Sequence, residues 1–532
     1  MKPFDKYKII SIVPVISLPI TMISCINNKD KDTLIFKIPY YKNNDIKPFY
    51  NVIEVYNTYL ESKNDPHLPV AIEESKNRNL IYQKINLDLS SQNEFIPNLI
   101  LYYPSLANIL NSYHRSLNFH EIIDDSNIDK NFLITEKQVN TSKDENILLP
   151  FSVSGESLVI NNILFGMFLD QALTFLNNEN EQQISLDYYK HRIFINALNC
   201  YQKASGPLKN TTEKFWKSQK IVFNKNKLLD LFATINDQQF RSNFGLINLA
   251  KKISDTFSQE ENKISIETLH IRSINNFVYS LLFNYSKTSY DNYFLKRKPN
   301  GLLDYDKIFE IGSEENNQLK WVFEYIKSSL MNSKISLYNS ANDSSPFIST
   351  KMFALTSTRF YQLIENDKNK KIKEFQFLPA PTKNDINDKV GSFLVQGNNL
   401  IGIKKSKVQD ESTINFVNWM YNKNNIINWK IGPKILKLTP VEYIAYSLGY
   451  IFPSENFIKE FPKMNKINLA NQKFLVNAKR KDLSPFQEPV DKQSDSLRKN
   501  IALVFSNYLY NNLETANFSE FLFNLKKGIF GE

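Results

Sequence analysis

The stretch that says most about the architecture of this chain runs from residue 97 to residue 107 and reads PNLILYYPSLA. A strand is predicted over 98–102, because the run is short, apolar and bounded by proline and asparagine. After Pro104, apolar residues recur at helical spacing as far as Tyr113. A strand that ends directly at a helix N-terminus aims free backbone N–H groups into a crevice, where α/β proteins bind ligands.

Strand and helix patterns alternate before this stretch, and strands return late in the chain. Strands are predicted at 34–38 and 68–72, with apolar residues at helical spacing over 49–60 between them, so the chain opens β-α-β. Residues 165–306 are mostly helical by periodicity. The later strands are predicted at 352–355, 374–378 and 393–403. Strands on both sides of a helix-rich middle predict an α/β protein of two lobes that are discontinuous in sequence.

Residues 1–25 read MKPFDKYKIISIVPVISLPITMISC, the order of a secretory signal peptide that ends in a lipobox. The apolar run is about 15 residues long, against the roughly 20 that a retained transmembrane anchor needs. The thiol of Cys25 is the atom that would receive the diacylglyceryl group. We therefore expect a signal peptide over 1–24, a lipidated tether over 25–33 and a protein held by acyl chains on the extracellular face of the cell membrane.

Charge and cysteine content limit the partners of the exported part. The 532-residue chain has a formal net charge of +10, which falls to +8 when residues 1–24 are removed, and this suits a protein near anionic lipid headgroups. Lysines are interspersed with acidic residues and form no dense basic block, so no nucleic acid partner is expected. With Cys25 acylated, Cys200 has no cysteine to pair with, and stability must come from burial.

Sequence patterns for catalysis and metal binding are missing. The five histidines have no metal-ligand spacing, and the chain has no phosphate-binding glycine loop, dinucleotide fingerprint or nucleophile elbow. A calcium-loop-like run of Asp125, Asn127, Asp129 and Glu136 has Lys130 where the loop needs glycine, so we interpret it as a solvated polar loop. No enzymatic activity, metal or cofactor is expected.

Several segments together resemble the mollicute surface lipoproteins that are similar to extracellular solute-binding proteins of sugar ABC transporters. These segments are 97–107, 149–161 (LPFSVSGESLVIN), 377–383 with 391–403 and the helix-like 412–421, and 488–498 with its EPVD and SLR. The resemblance covers most of the mature chain and rests on the order of these segments along it.

The resemblance implies a two-lobed α/β fold of the periplasmic-binding-protein type II, with a helix-rich second lobe. It places the first lobe at 34–150 with a return at 393–440, and the second lobe at 151–392. The chain would cross between lobes at 149–161, and C-terminal helices over 441–532 would close over the cleft.

The resemblance also implies capture of a small, sugar-like solute and its delivery to an ABC permease. Solute sites of this kind need apolar walls with a few oriented polar groups. The candidate ligand-binding residues are Tyr102, Tyr103, Ser105, Ser154, Glu156, Ser357, Gln396, Asn398 and Glu488. Each also has an ordinary structural interpretation as core, helix cap, surface charge or turn. The alternative function is a surface adhesin or assembly protein that keeps the fold without transport.

Overall fold

The structure is a computed structural model of the chain. It describes residues 32–76, 78–93, 95–133, 139, 145–179, 184, 186–260, 264–298, 302–337, 350–359, 361, 364, 372–431, 434–461 and 468–531. The predicted signal peptide and Cys25 lie outside these residues, as does Glu136 of the calcium-like run. No helix within the described ranges combines the length and apolarity that a membrane crossing requires.

Helices and strands follow one another along the described chain. The strands are β1 (Leu34–Ile38), β2 (Val70–Glu74), β3 (Leu99–Tyr102), β4 (Leu149–Ser154), β5 (Glu156–Asn161), β6 (Val222–Phe223), β7 (Phe257–Ser258), β8 (Glu267–Ile271), β9 (Ile335–Leu337), β10 (Lys351–Ser357), β11 (Phe375–Pro379), β12 (Gly391–Leu394), β13 (Gln396–Gly402), β14 (Ile427–Ile431), β15 (Lys434–Leu438) and β16 (Leu483–Phe486). The α-helices are α1 (Asn43–Lys63), α2 (Arg78–Ser90), α3 (Pro104–Ser112), α4 (His120–Ser126), α5 (Asn162–Asn178), α6 (Arg192–Lys203), α7 (Pro207–Ser218), α8 (Lys225–Thr234), α9 (Asn243–Asp255), α10 (Ile274–Tyr285), α11 (Asp306–Phe309), α12 (Glu314–Leu330), α13 (Lys407–Tyr421), α14 (Pro440–Ser447), α15 (Glu455–Glu460), α16 (Leu469–Ala478), α17 (Ser494–Leu503) and α18 (Phe518–Phe530). A π-helical segment, Val504–Leu509, continues α17.

The first sheet has the strand order β2-β1-β3-β13-β4. Strand β1 pairs in parallel with β2 and β3, and helix α1 makes the crossover that a parallel β1–β2 pair requires. Strand β13 runs antiparallel to β3 and β4. An aromatic core forms against this sheet, in which Phe36, Phe49 and Phe151 are at most 1% exposed. The carboxyl ends of β1, β2 and β3 therefore share one edge with the start of β13.

The second sheet has the strand order β11-β5-β10-β8-β9. Strand β5 is antiparallel to both of its neighbours, whereas β10, β8 and β9 are mutually parallel. Helices supply most of the rest of this lobe, and the rings of Phe165 in α5 and Phe353 in β10 meet edge to face at 4.8 Å. The second lobe is accordingly rich in helix.

The chain passes from the first sheet to the second at Gly155, which separates β4 from β5. A Cβ atom at this position would lie 2.1 Å from the ring of Phe474 in α16, so only glycine fits without a shift. At this first crossing a single, tightly packed residue separates the two sheets.

The strand predicted over 393–403 is wrong as a single element. The structure divides it into β12, which pairs in parallel with β16, and β13, which belongs to the first sheet. The backbone N–H of Val395 still donates to Phe486 at 2.8 Å, whereas Gln396 already pairs with Ser154. Alternating apolar residues predict an extended chain but do not say with which strand it pairs, and the partner changes between 395 and 396.

The C-terminal helices divide between the two cores. Apolar residues of α14 and α15 pack in the core of the first sheet, and those of α17 and α18 pack in the core of the second. The segment between Leu483 and Leu503 therefore runs past the place where the two lobes meet.

Candidate functional site

Polar and aromatic side chains gather where the strands of the first sheet end. Tyr40 follows β1, Arg78 follows β2 and Tyr103 follows β3. Gln396 and Asn398 stand at the start of β13, at the same edge. This is the edge at which α/β sheets bind ligands, because parallel strands deliver their following loops to one crevice.

Tyr103 contributes its ring to two cation–π contacts. The guanidinium carbon of Arg78 lies 4.3 Å from the ring centroid, and that of Arg498 lies 4.1 Å from it. Arg78 comes from the first lobe, whereas Arg498 belongs to α17, which packs in the second core. Partly buried contacts of this kind hold a cation more firmly than exposed ones. The ring of Tyr103 therefore joins groups from both lobes.

Arg498 is also paired with a carboxylate. Its guanidinium donates two hydrogen bonds to Glu488, one of them from Nε to Oε2 at 2.5 Å. Burial raises the pKa of Glu488, and Arg498 opposes that rise. Burial would lower the pKa of Arg498, but Glu488 and neighbouring groups hold it above its ordinary value. The pair has the bidentate geometry in which guanidinium and carboxylate fit best.

Asp495, one helical turn before Arg498, accepts hydrogen bonds from the first lobe. The Tyr102 hydroxyl donates to its Oδ2 and the Ser105 hydroxyl to its Oδ1, both at 3.1 Å. Tyr102 and Ser105 are 1% and 2% exposed. Burial raises the pKa of the Tyr102 hydroxyl, with Asp495 beside it adding to the effect. These side chains fasten α17 to the edge of the first sheet.

Asn398 connects the other polar groups of the same edge. Its Oδ1 accepts from Nη2 of Arg78 at 2.7 Å, and its Nδ2 donates to the Tyr40 hydroxyl at 2.9 Å and to Ser152 at 3.1 Å. The side chain is buried, with 2% exposure. Asn398 thereby fixes the positions of Arg78 and Tyr40.

A second polar group spans the two lobes at Glu156, Asn276 and Gln396. Nδ2 of Asn276 donates to Glu156 Oε1 and to Gln396 Oε1, each at 3.0 Å, and Gln396 Nε2 donates back to Asn276 Oδ1 at 2.7 Å. Burial raises the pKa of Glu156 to about 7, although hydrogen bonds from Asn276 and Ser273 oppose the rise. Glu156 starts β5 directly after the crossing at Gly155, so this group lies where the chain changes lobes.

Two further candidates stand at strand ends beside that group. Ser154 ends β4 opposite Gln396 and is 6% exposed. Ser357 ends β10 opposite Glu156, and its hydroxyl accepts from the backbone N–H of Arg359 at 3.4 Å. The side chain of Arg359 extends to the first lobe, where its guanidinium carbon is 4.8 Å from the ring centroid of Tyr450.

The structure thus sorts the candidates into two connected groups. Tyr102, Tyr103, Ser105, Asn398 and Glu488 belong to the arginine-containing edge, and Glu156 and Gln396 belong to the crossing, with Ser154 and Ser357 beside it. Sequence analysis did not single out five of the residues that join them: Tyr40, Arg78, Asn276, Tyr450 and Asp495. The scarcity of arginine was one signal in the sequence, since the chain has 9 arginines and 56 lysines. An arginine in so lysine-rich a chain suggests that its position needs the forked geometry of a guanidinium.

Solved structures of similar architecture define the class of fold. The cyclic alpha-maltosyl-1,6-maltose binding protein from Arthrobacter globiformis is 8% identical, with a TM-score of 0.52 over 94% of this chain and 98% of that one. The GacH receptor of Streptomyces glaucescens, solved unliganded and with acarbose, is 10% identical, with a TM-score of 0.54 over 93% of this chain and 98% of that one. At these identities the likeness concerns the fold alone. The predicted two-lobed, type II periplasmic-binding-protein-like fold with a helix-rich second lobe is confirmed.

Sequence similarity then points to a family. Residues 394–509 match the family described as "Putative mycoplasma lipoprotein, C-terminal region". An "Uncharacterized lipoprotein" of Mycoplasma pneumoniae is 40% identical over 88 residues, which is 16% of this chain and 11% of that protein. A second lipoprotein of that organism is 25% identical over 178 residues, 32% of this chain and 22% of the relative. The predicted resemblance to mollicute lipoproteins is confirmed, over stretches that span less than a quarter of these two relatives' lengths.

Proposed function

We propose that this protein is a membrane-anchored, extracellular solute-binding lipoprotein that captures a small, sugar-like nutrient for an ABC permease and performs no catalysis. The observation that carries the proposal is the meeting of polar and aromatic side chains from both lobes at the carboxyl edge of the first sheet. Tyr103, Arg78 and Asn398 come from the first lobe, and Arg359 and Glu156 come from the second.

A site with contributions from both lobes can couple binding to closure. A solute that contacts both lobes binds the closed arrangement more tightly than the open one, and so shifts the population toward closure. The crossing at Gly155 and the Glu156–Asn276–Gln396 group lie where such a movement would turn. The solute-contacting residues we propose are Tyr103, Glu156 and Gln396, with Tyr102, Ser105, Ser154, Ser357, Asn398 and Glu488 lining or supporting the site.

Binding is tested on the full-length protein in detergent against sugars, sugar acids, sugar phosphates, nucleosides and short peptides. A solute at 100 times its Kd should stabilise the folded state by about 2.7 kcal/mol, which raises the unfolding midpoint. Tyr103→Ala should abolish the rise, and Tyr189→Ala, at a position 93% exposed, is the matched control. A flat response across the panel, together with specific capture of a neighbouring surface protein, would favour the adhesin function instead.

Anchoring is tested separately from binding. We propose that Cys25 carries the diacylglyceryl group, because the lipobox precedes it. Cells fed radiolabelled palmitate should label the wild-type protein, and Cys25→Ser should lose the label and appear in the medium or as an uncleaved precursor. Cys200→Ser is the matched control and should keep the label. Label on Cys25→Ser would contradict the proposed anchor.

A further inference from the structure

Two arginines at the interlobe edge have no anionic partner among the residues that the structure describes. Arg78 makes a side-chain hydrogen bond only to the amide oxygen of Asn398, at 2.7 Å, and the guanidinium of Arg359 makes none within the described ranges. Nε of Arg78 and Nε of Arg359 are both buried without a hydrogen-bond partner there. Buried cations are normally paired, since removal from water is costly.

The two guanidinium groups surround the same pair of tyrosines. Arg359 lies over the Tyr450 ring, and Arg78 shares Asn398 with the Tyr40 hydroxyl. Burial raises the pKa of Tyr40, and both Arg359 and Arg78 are close enough to oppose that rise. Burial alone would lower the pKa of Arg359, but Tyr450, Tyr40 and Asp45 hold it above its ordinary value, and Arg78 opposes them. The arginines therefore lie near each other, one from each lobe, as like charges.

The acidic groups nearby do not neutralise the charges of Arg78 and Arg359. Glu488 forms its bidentate pair with Arg498, and Asp495 accepts from Tyr102 and Ser105. Asp45, in the first turn of α1, acts on Arg359 only at a distance and forms no ion pair with it. The positive charge of Arg78 and Arg359 is thus left uncompensated by the described chain.

We infer that the captured solute carries an oxyanionic group, a carboxylate or a phosphate monoester, which binds between Arg78 and Arg359. Each guanidinium presents a planar fork of N–H donors that matches the oxygens of either group. An anion held by one arginine from each lobe would relieve their repulsion only when the lobes are together, so it would favour the closed state. This inference rests on the proposed function and narrows its solute class from sugar-like to acidic.

The first experiment compares neutral and anionic probes that share a carbon skeleton, by isothermal titration calorimetry of the full-length protein. The probes are glucose, glucuronate and glucose 6-phosphate, with glycerol, glycerate and glycerol 3-phosphate as a smaller set. The anionic members should bind at least 10-fold more tightly than the neutral ones. Tighter binding of glucuronate and glycerate would indicate a carboxylate on the solute. Tighter binding of glucose 6-phosphate and glycerol 3-phosphate would indicate a phosphate. Inorganic phosphate should also raise the unfolding midpoint relative to chloride at equal ionic strength.

Variants then assign the effect to the arginines. Arg359→Met should weaken binding of the preferred anionic probe by about 10- to 100-fold, the range that charge-assisted hydrogen bonds support. Arg359→Lys should lose less, because it keeps the charge without the fork. Arg480→Met removes an exposed arginine and should leave binding unchanged. The unfolding midpoint without probe, measured for each variant, verifies that it folds.

The outcomes separate the inference from the proposed function. If neutral probes bind as tightly as anionic ones and Arg359→Met binds both unchanged, the anionic solute class is overturned while solute binding stands. If neither the six probes nor inorganic phosphate binds, the anionic solute class is overturned, and the wider solute panel decides the proposed function. The inference is supported if the protein prefers anionic probes, Arg359→Met loses this preference and Arg480→Met retains it.

Discussion

Arg498 and Arg359 both extend to the tyrosine-lined edge between the lobes, and both lie over a tyrosine ring. Their surroundings differ in one respect. Arg498 donates two hydrogen bonds to the carboxylate of Glu488, whereas Arg359 has no carboxylate partner among the described residues. The first arrangement is complete as it stands. The second leaves a partly buried cation whose buried Nε has no hydrogen-bond partner among the described residues, and an anion from outside the chain would suit it.

The crossing between the lobes adds the opposite case, a partly buried acid without a cationic partner among the described residues. Glu156 accepts a hydrogen bond from Asn276, and burial raises its pKa to about 7. A carboxyl can respond to burial by keeping its proton, so Glu156 needs no ion. A guanidinium cannot lose its proton under these conditions, which leaves Arg359 no such response. The difference explains why an unpaired arginine indicates a ligand more strongly than an unpaired glutamate does.

We expect the largest effect on stability when the Glu488–Arg498 ion pair is broken. Glu488→Gln leaves the partly buried Arg498 beside a neutral amide, and the loss of one partner of a buried ion pair typically costs about 3 to 5 kcal/mol. We expect a reduction of that order in the free energy of unfolding, measured by urea denaturation at neutral pH. The matched control is Asp482→Asn, whose partner Arg480 lies in an exposed pair worth less than about 1 kcal/mol.

Equal losses for Glu488→Gln and Asp482→Asn would mean that the Glu488–Arg498 pair is not the anchor that its geometry indicates. Replacement of both partners sharpens the test. The double variant Glu488→Leu with Arg498→Met leaves no uncompensated charge, and apolar replacements of buried pairs are often neutral. It should recover most of the stability lost in the single variant.

The next effect concerns the acid at the crossing and depends on pH. Because the folded pKa of Glu156, about 7, lies above its ordinary value, the folded state keeps a proton that the unfolded state has released. The free energy of unfolding should therefore fall as pH rises from about 4.5 to 7, by at most roughly 3 kcal/mol. Glu156→Gln cannot titrate and should lack this part of the pH dependence.

The measurement is the difference between the wild-type and Glu156→Gln stability curves over pH 4 to 8, so that the titration of other groups cancels. Glu179→Gln, in an exposed ion pair with Lys225, is the matched control. A difference curve that is flat across the window would mean that Glu156 ionises normally in the folded protein.

Much of the fold was predictable because local patterns specify it. Strand β1 begins and ends where the alternating apolar residues do, and β3 leads into a helix at Pro104 as predicted. Strand β8, Glu267–Ile271, was missed inside the helix-rich stretch, since a five-residue buried strand has no period to distinguish it from helix. It nevertheless lies between β10 and β9 in the second sheet.

The site was less predictable, because its contacts join residues far apart in sequence. Tyr102 and Tyr103 were visible at a strand end, but the hydroxyl of one meets Asp495 and the ring of the other meets Arg498, almost 400 positions later. No local sequence pattern predicts contacts between residues so far apart. Arginine scarcity was the one usable clue, and it gives no information about which arginines are paired.

The smallest expected effect is the most informative about Arg359. In chloride buffer without solute, Arg359→Met should leave the free energy of unfolding unchanged or raise it by about 1 kcal/mol, since the substitution removes a desolvated cation and its repulsion with Arg78 while keeping an apolar stem over Tyr450. Urea denaturation measures it beside Arg498→Met, which strands Glu488 and should lose several times that amount. A large loss for Arg359→Met would show that this arginine supports the fold as Arg498 does. A stable variant that has lost anion binding would instead place Arg359 among residues kept for the ligand at some expense of stability.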